Sequence, residues 1–197
     1  MSGSLGQLIS LLVTSLGSLY ISIVLLRFLL QAAHADFYNP VSQAIVKLSA
    51  APVRLFRRVI PSWGRLDLGT LVLALVLNSG ATALLAFAAG FQLPNFGLIL
   101  SWSALGLTAF ILNIYFYAVL ISVITSFIAP FSAHPAILVV HQLIEPLYRL
   151  IHRVIPPMGG LDFSPLFIFL GIRALEIVVI IPLAIKLQII PQLVLGI

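Results

Sequence analysis

Four long apolar stretches dominate the chain, and each is long enough to cross a lipid bilayer. They run from about residue 5 to 30, 68 to 91, 96 to 128 and 165 to 190. A membrane-spanning helix needs roughly 20 mostly apolar residues, and open strands would leave backbone groups unpaired in lipid. The pattern therefore predicts an all-α membrane protein with four transmembrane helices.

Two shorter segments between these stretches, 40–60 and 135–155, have amphipathic periodicity. At about 100° per residue, polar side chains fall on one helical face and apolar side chains on the other. The first polar face carries Gln43, Lys47, Arg54, Arg57 and Arg58, and the second carries His141, Glu145, Arg149, His152 and Arg153. Such a helix lies in the membrane interface. Packing on a soluble domain is the alternative, but the chain offers no such domain.

One motif occurs twice without a gap, at an offset of 95 residues. Its residues are Asn39, Pro40, Pro61, Gly64 and Asp67 in the first copy and His134, Pro135, Pro156, Gly159, Gly160 and Asp162 in the second. An ungapped repeat of this length indicates a duplicated unit. We expect one unit over residues 1–95 and another over 96–197, each with a span, an amphipathic helix and a span. Because each unit has two spans, the two copies have parallel topology.

The repeated residues have structural explanations. Asn39 and His134 precede a proline and suit the start of a helix, although His is the poorer cap. Pro61 and Pro156 end these helices. Asp67 and Asp162 would cap the following spans. Gly64 and the pair Gly159-Gly160 would permit the turn between the two helices.

Composition supports the membrane interpretation. Sixty-one per cent of the residues are hydrophobic and 8% are charged, whereas soluble domains carry about 25% charged residues. The chain has no cysteine, which excludes disulfides and thiolate chemistry. Because Met1 to Ser10 contains no Lys or Arg, we interpret the first apolar run as a retained span and not a signal peptide.

Basic residues are concentrated on one side of the predicted membrane. They are Lys47, Arg54, Arg57, Arg58, Arg65, Arg149 and Arg153. The positive-inside rule places these loops in the cytoplasm and both termini on the opposite side. All of them except Arg65 are candidate contacts for anionic lipid headgroups, worth roughly 1 kcal/mol per cation. An acidic partner protein is the alternative, while nucleic acid is disfavoured because no base-stacking aromatic residues interleave.

Charges within the spans form a second candidate site. Arg173 and Glu176 lie three residues apart in the fourth span, and Arg27 lies at a similar depth in the first. A bare charge at that depth costs at least about 2.5 kcal/mol, so we expect these groups to face the bundle interior and to pair. One interpretation is an ion or proton path through Glu176. The other is an ion pair that sets helix register.

Metal binding and enzymatic catalysis find no support in the sequence. His134, His141, Glu145 and His152 share one helical face. However, His134 and His152 would lie about 27 Å apart along a helix, and the two remaining side chains are too few for a structural zinc site. No nucleotide loop or catalytic motif occurs. We expect no metal, no cofactor and no enzymatic activity.

The motif resembles that of the YggT family, which includes the YlmG proteins. The most specific matches are Gly159-Gly160 and the run from Asp162 to Leu166. The first copy departs from both, with Arg65 in place of the second glycine and Gly69-Thr70 in place of Ser-Pro. The resemblance implies a multi-pass protein of the bacterial inner membrane in its two-repeat form. With the basic loops in the cytoplasm, both termini are then expected in the periplasm. It implies roles in osmotic or extracytoplasmic stress and ion homeostasis. Relatives are linked to cell division, nucleoid distribution and plastid cytochrome assembly, without a catalytic residue.

We therefore expect an accessory or scaffold protein that contacts anionic lipid or a membrane or cytoplasmic partner protein. An ion-conducting protein or transporter subunit that uses Arg27, Arg173 and Glu176 is the alternative. A homo-oligomer is also open, because Gly80, Ala83 and Gly106 offer small surfaces for close helix contact.

Overall fold

The computed structural model describes residues 3–64, 66–130, 132–157 and 162–197. Within these ranges the protein is helical, and its extended pairing is limited to an isolated bridge between Trp63 and Leu66. The helices are α1 (Ser4–Ala32), α2 (Pro40–Val59), α3 (Leu68–Ala89), α4 (Phe96–Ile128), α5 (Pro135–His152) and α6 (Ser164–Lys186). Short π-helical turns interrupt α1 at Val13–Gly17 and α6 at Glu176–Ile180.

The fold class predicted from the sequence is confirmed. Helices α1, α3, α4 and α6 are each long and apolar enough to cross a membrane. The amphipathic helices α2 and α5 follow α1 and α4, so the order span, amphipathic helix, span occurs twice. The protein is therefore a multi-pass membrane protein built from two units of the same topology.

Helix ends follow local chemistry. The side chain of Asn39 accepts a hydrogen bond from the Val41 amide at 2.8 Å, and Nδ1 of His134 accepts one from the Ala136 amide at 3.3 Å. Each cap precedes a proline, whose missing N–H would have no helical partner. Helix α3 ends two residues before the predicted limit of 91, because Gly90 adopts a left-handed conformation that terminates a helix.

The spans differ in how many neighbours cover them. Helix α3 packs against α1, α2 and α4, and its Leu73, Ala74, Leu85 and Ala86 lie in the core. In the described ranges, α6 contacts only α4 and α5. The first unit therefore encloses its second span, whereas the second unit leaves its second span at an edge.

The C-terminal segment, residues 190–197, returns to pack against the first unit. Leu193, Val194 and Leu195 are buried with the core of α1, α3 and α4. The indole Nε1 of Trp102 donates a hydrogen bond to the Leu187 carbonyl at 3.0 Å, just before this segment. This long-range packing was not predicted from the sequence.

Candidate functional site

The basic face of α2 is the largest cationic surface predicted from the sequence. Lys47, Arg54 and Arg58 are exposed. In the part of the chain that the structure describes, no carboxylate lies within ion-pair distance of any of the three. Their charges are therefore available to an external anion.

Arg57 has a different role from its neighbours. It donates from Nε at 2.8 Å and from Nη2 at 2.5 Å to Oδ2 of Asp67, whose side chain is fully buried. Asp67 also accepts from the amide of Thr70 at 3.2 Å and from its hydroxyl. One carboxylate thus caps α3 and holds the end of α2 against it.

Electrostatics favour the ionised form of Asp67. Burial acts to raise the pKa of its carboxyl, but hydrogen bonds from Arg57 and Thr70 outweigh that effect and hold the pKa below its ordinary value. The carboxylate is therefore charged at neutral pH.

The second unit repeats this connection with a histidine. His152 occupies the position equivalent to Arg57, and its Nε2 lies 3.3 Å from the carboxylate of Asp162. Asp162 also accepts from the Ser164 amide at 2.8 Å. Burial acts to raise the pKa of Asp162, but hydrogen bonds from Ser164 and His152 hold it below its ordinary value. Because the side chains of His152 and Asp162 are both partly exposed, whereas Asp67 is fully buried, we expect this second connection to be the weaker one.

Arg27 lies in the first unit, beside α2. Its side chain is 8% exposed, and Nη1 donates at 3.1 Å to the carbonyl of Val46 and at 3.1 Å to the hydroxyl of Ser49. From their depth in the spans, Arg27 was predicted to join Arg173 and Glu176. The structure does not bring them together, because α1 and α6 have no contact within the described residues.

Arg173 and Glu176 form an ion pair on α6. Nη1 of Arg173 lies 2.6 Å from Oε2 of Glu176, yet the Arg173 side chain is 64% exposed. Its guanidinium lies 5.6 Å from the ring centroid of Phe116 on α4. Arg173 thus lies at an exposed edge of α6 beside α4, while the side chain of Glu176 is partly buried.

The remaining predicted residues occupy several environments. Nε of Arg149 lies 3.4 Å from Oε1 of Glu145 on the exposed face of α5. Arg153 is also exposed. Gly64 has a φ of 58° in the turn between α2 and α3, a conformation that favours glycine. The predicted turn residues Gly159 and Gly160 lie outside the described residues. No three His, Asp or Glu side chains in the described ranges are placed to hold one metal ion.

The repeat is also visible in comparisons with known proteins. A family model described as CCB3/YggT matches residues 6–88 and again residues 101–183. The chain belongs to the CCB3/YggT family. No solved structure matches it.

Relatives of this family member are similar over most of their length. An uncharacterised protein of Pseudomonas aeruginosa is 41% identical over 167 residues, which cover 84% of this chain and 85% of the relative. A Vibrio alginolyticus protein is 41% identical over 171 residues, 83% of this chain and 89% of the relative. The uncharacterised protein YggT of Escherichia coli K12 is 36% identical over 165 residues, 82% and 84% of the two chains.

Sequence reasoning treated Asp67 and Asp162 as caps and missed their ion pairs with α2 and α5. The signal was present in the repeat, because Arg57 and His152 are equivalent and each precedes its aspartate by ten residues. The polar partner of Arg27 was missed too. Ser49 lies on the buried side of α2, and only the packing of that helix on α1 brings it to the guanidinium.

Proposed function

We propose that this protein is a non-enzymatic scaffold of the bacterial inner membrane, whose amphipathic helices bind anionic lipid headgroups on the cytoplasmic side. The observation that supports this most is the basic face of α2, where Lys47, Arg54 and Arg58 are exposed without a carboxylate partner in the described ranges. Arg57 fixes the position of this face, because its ion pair with Asp67 holds the end of α2 against the start of α3. Both termini are then periplasmic.

The proposed cellular setting is osmotic or extracytoplasmic stress, ion homeostasis or cell division, as the family resemblance implies. A scaffold role suits the structure, because α2 is tied to both spans of its unit through Arg27 and Arg57. A partner protein that binds α2 would therefore contact a surface held rigidly to the membrane-spanning helices. Acidic segments are the partners that such a surface favours.

No specific observation favours an ion path through Arg27, Arg173 and Glu176. Arg27 is bonded to α2, and Arg173, which pairs with Glu176, is exposed at the edge of α6. A path within the bundle would need these groups to line a common interior.

The lipid contact is tested with the double substitution Arg54→Gln and Arg58→Gln. At roughly 1 kcal/mol per cation, each lost charge lowers the local affinity for an anionic headgroup about fivefold at low salt. We expect the double variant to immobilise less spin-labelled phosphatidylglycerol than the wild type, measured by electron paramagnetic resonance in proteoliposomes. Its salt dependence should also be flatter, because fewer charge contacts are screened.

The matched control is Lys186→Gln, which removes an exposed cation at the far end of α6. It should leave the phosphatidylglycerol signal of the basic side unchanged. Equal immobilisation by wild type and the Arg54/Arg58 variant would contradict the proposed lipid contact and direct the search to protein partners.

A further inference from the structure

A cavity of about 370 Å³ opens between the end of α1 and the first turns of α2. Its polar lining consists of Arg27, Gln31, Gln43, Lys47 and Arg57. Three of these five side chains are cationic, and none is acidic. The polar side chains of the cavity therefore favour an anion over a cation.

The charge of Arg27 is the strongest argument for a ligand. The guanidinium is buried, only its Nη1 has hydrogen-bond partners among the described residues, and these partners are neutral. No carboxylate of those residues lies within ion-pair distance of it. A buried charge without a counter-charge is costly, whereas Arg57 in the same cavity is already neutralised by Asp67. The positive charges of Arg27 and Lys47 therefore remain available to bind an external anion.

The donor set selects the class of anion. A guanidinium presents a planar fork that matches the oxygens of a phosphate, and a lysine ammonium adds a point charge. The side-chain oxygen Oε1 of Gln31 accepts a hydrogen bond from Nη2 of Arg57 at 2.9 Å. The two N–H groups of the Gln31 side chain therefore remain as donors. The volume suits a small ligand, and the end of a span beside an interfacial helix lies at the depth of lipid headgroups.

We infer that this cavity binds a phosphate group, carried by an anionic glycerophospholipid or present as free phosphate. The lipid source rests on the proposed function, because that function places α2 at the headgroup level. The binding site itself rests on Arg27 and Lys47, not on the exposed strip of Arg54 and Arg58.

The deciding variant is Lys47→Gln, because Arg27 also holds α2 in place and its replacement could unfold the unit. Affinity is measured on the detergent-solubilised protein by ligand-induced thermal stabilisation with dihexanoyl phosphatidate, with dihexanoyl phosphatidylcholine and with inorganic phosphate. We expect phosphatidate to bind more tightly than phosphatidylcholine, and Lys47→Gln to weaken phosphatidate about fivefold. The control Lys186→Gln removes an exposed cation at the far end of α6, outside the cavity, and should bind phosphatidate as the wild type does.

The three probes also separate the sources. Stabilisation by phosphatidate alone identifies a lipid headgroup, and stabilisation by inorganic phosphate as well identifies the phosphate group itself as sufficient. Equal phosphatidate affinity in Lys47→Gln and the wild type, or no affinity in either, would overturn the site. The proteoliposome measurement on the Arg54/Arg58 variant tests the proposed lipid contact independently of this result.

A second inference comes from comparing the two units position by position. Where the units meet, Asn78 of α3 donates from Nδ2 to the Ser103 carbonyl of α4 at 3.0 Å. Thr82 and Ala86 are fully buried further along the same face of α3, and Gly106 lies against Asn78 on the α4 side. This contact joins the second span of one unit to the first span of the next.

The positions equivalent to the two halves of that contact are exposed at the edges of the chain. On α6 the equivalents of Asn78, Thr82 and Ala86 are Arg173, Ile177 and Ile181, which are 64%, 63% and 51% exposed. On α1 the equivalents of Ser103 and Gly106 are Leu8 and Leu11, which are also exposed. The chain thus presents two exposed edges at positions equivalent to the two sides of its own internal interface, although larger side chains occupy them.

The geometry points to a second copy of this chain as the occupant of these edges. In a two-fold symmetric dimer, α6 of each copy packs on α1 of its partner, so both exposed edges are covered. The four units of the two copies then form a closed ring. The Arg173–Glu176 pair favours this arrangement, because an ion pair within a span is costly against lipid and favourable against protein.

Disulfide crosslinking tests the contact directly, since the natural chain has no cysteine. We expect the double variant Leu8→Cys and Ile177→Cys to form a crosslinked dimer on oxidation in native membranes. Within one chain α1 and α6 do not touch in the described ranges, so the bond can form only between copies. The control pairs Leu8→Cys with Leu175→Cys, whose equivalent Gly80 is exposed within the first unit, and should remain monomeric. Monomers from both variants, or equal crosslinking by both, would overturn the inference.

Discussion

Replacing Asp67 with Asn destabilises the protein more than any other single polar substitution that we predict. The expected loss is about 3 kcal/mol of unfolding free energy, the low end for breaking a buried ion pair, because Arg57 is partly exposed. Asn preserves the shape of the side chain but removes the charge that accepts from Arg57 and Thr70. The measurement is the folded fraction in mixed micelles as sodium dodecyl sulfate is increased.

The repeat supplies the matched control. Asp162→Asn removes the equivalent carboxylate, but Asp162 and His152 are both partly exposed, and exposed pairs contribute less than about 1 kcal/mol. We expect Asp162→Asn to be the milder change. An equal loss in the two variants would show that burial does not set the strength of these connections.

The Asp67 contribution also depends on pH. Its pKa in the folded protein lies below the ordinary value of about 3.9. A depressed pKa stabilises the folded state above the unfolded pKa, and this stabilisation is lost as the pH falls through the folded pKa. The difference between wild type and Asp67→Asn should therefore be constant near neutral pH and shrink below about pH 4.

Replacing Gly106 with Ala displaces the C-terminal segment. A Cβ at this position would lie 2.5 Å from the carbonyl oxygen of Leu195 and 2.8 Å from Cγ1 of Val194. Because the oxygen belongs to backbone, the segment must move, at an expected cost of about 1 to 3 kcal/mol. A thiol introduced as Leu195→Cys is buried in the parent and should react faster with a maleimide in the Gly106→Ala background.

Gly80→Ala is the control for this substitution. Gly80 has nothing within 4 Å of an added Cβ, so the Leu195→Cys thiol should react at the parent rate. Unchanged labelling in the Gly106→Ala background would mean that the segment is not held by its contact with α4.

Local chemistry explains what could be predicted about the candidate sites. The periodicity of 40–60 predicts a basic face, and Arg54 and Arg58 are exposed on α2 as that periodicity indicates. The same periodicity groups Arg57 with them, although its guanidinium is directed to Asp67. Charge and helical spacing identify a face, but they carry no information about a carboxylate in the next helix.

By itself, the sequence determined the four spans, the two amphipathic helices, their caps at Asn39 and His134 and the duplication. These features depend on runs of apolar residues, helical periodicity and contacts within a few residues. Only the tertiary structure decided that Arg27 is bonded to α2, that the C-terminal segment packs at Gly106 and that Arg173 lies at an outer edge. The physical reason is that a span apolar on all sides has no hydrophobic stripe to orient it. Its neighbours are chosen by shape and by a few polar contacts between residues that are distant in the chain.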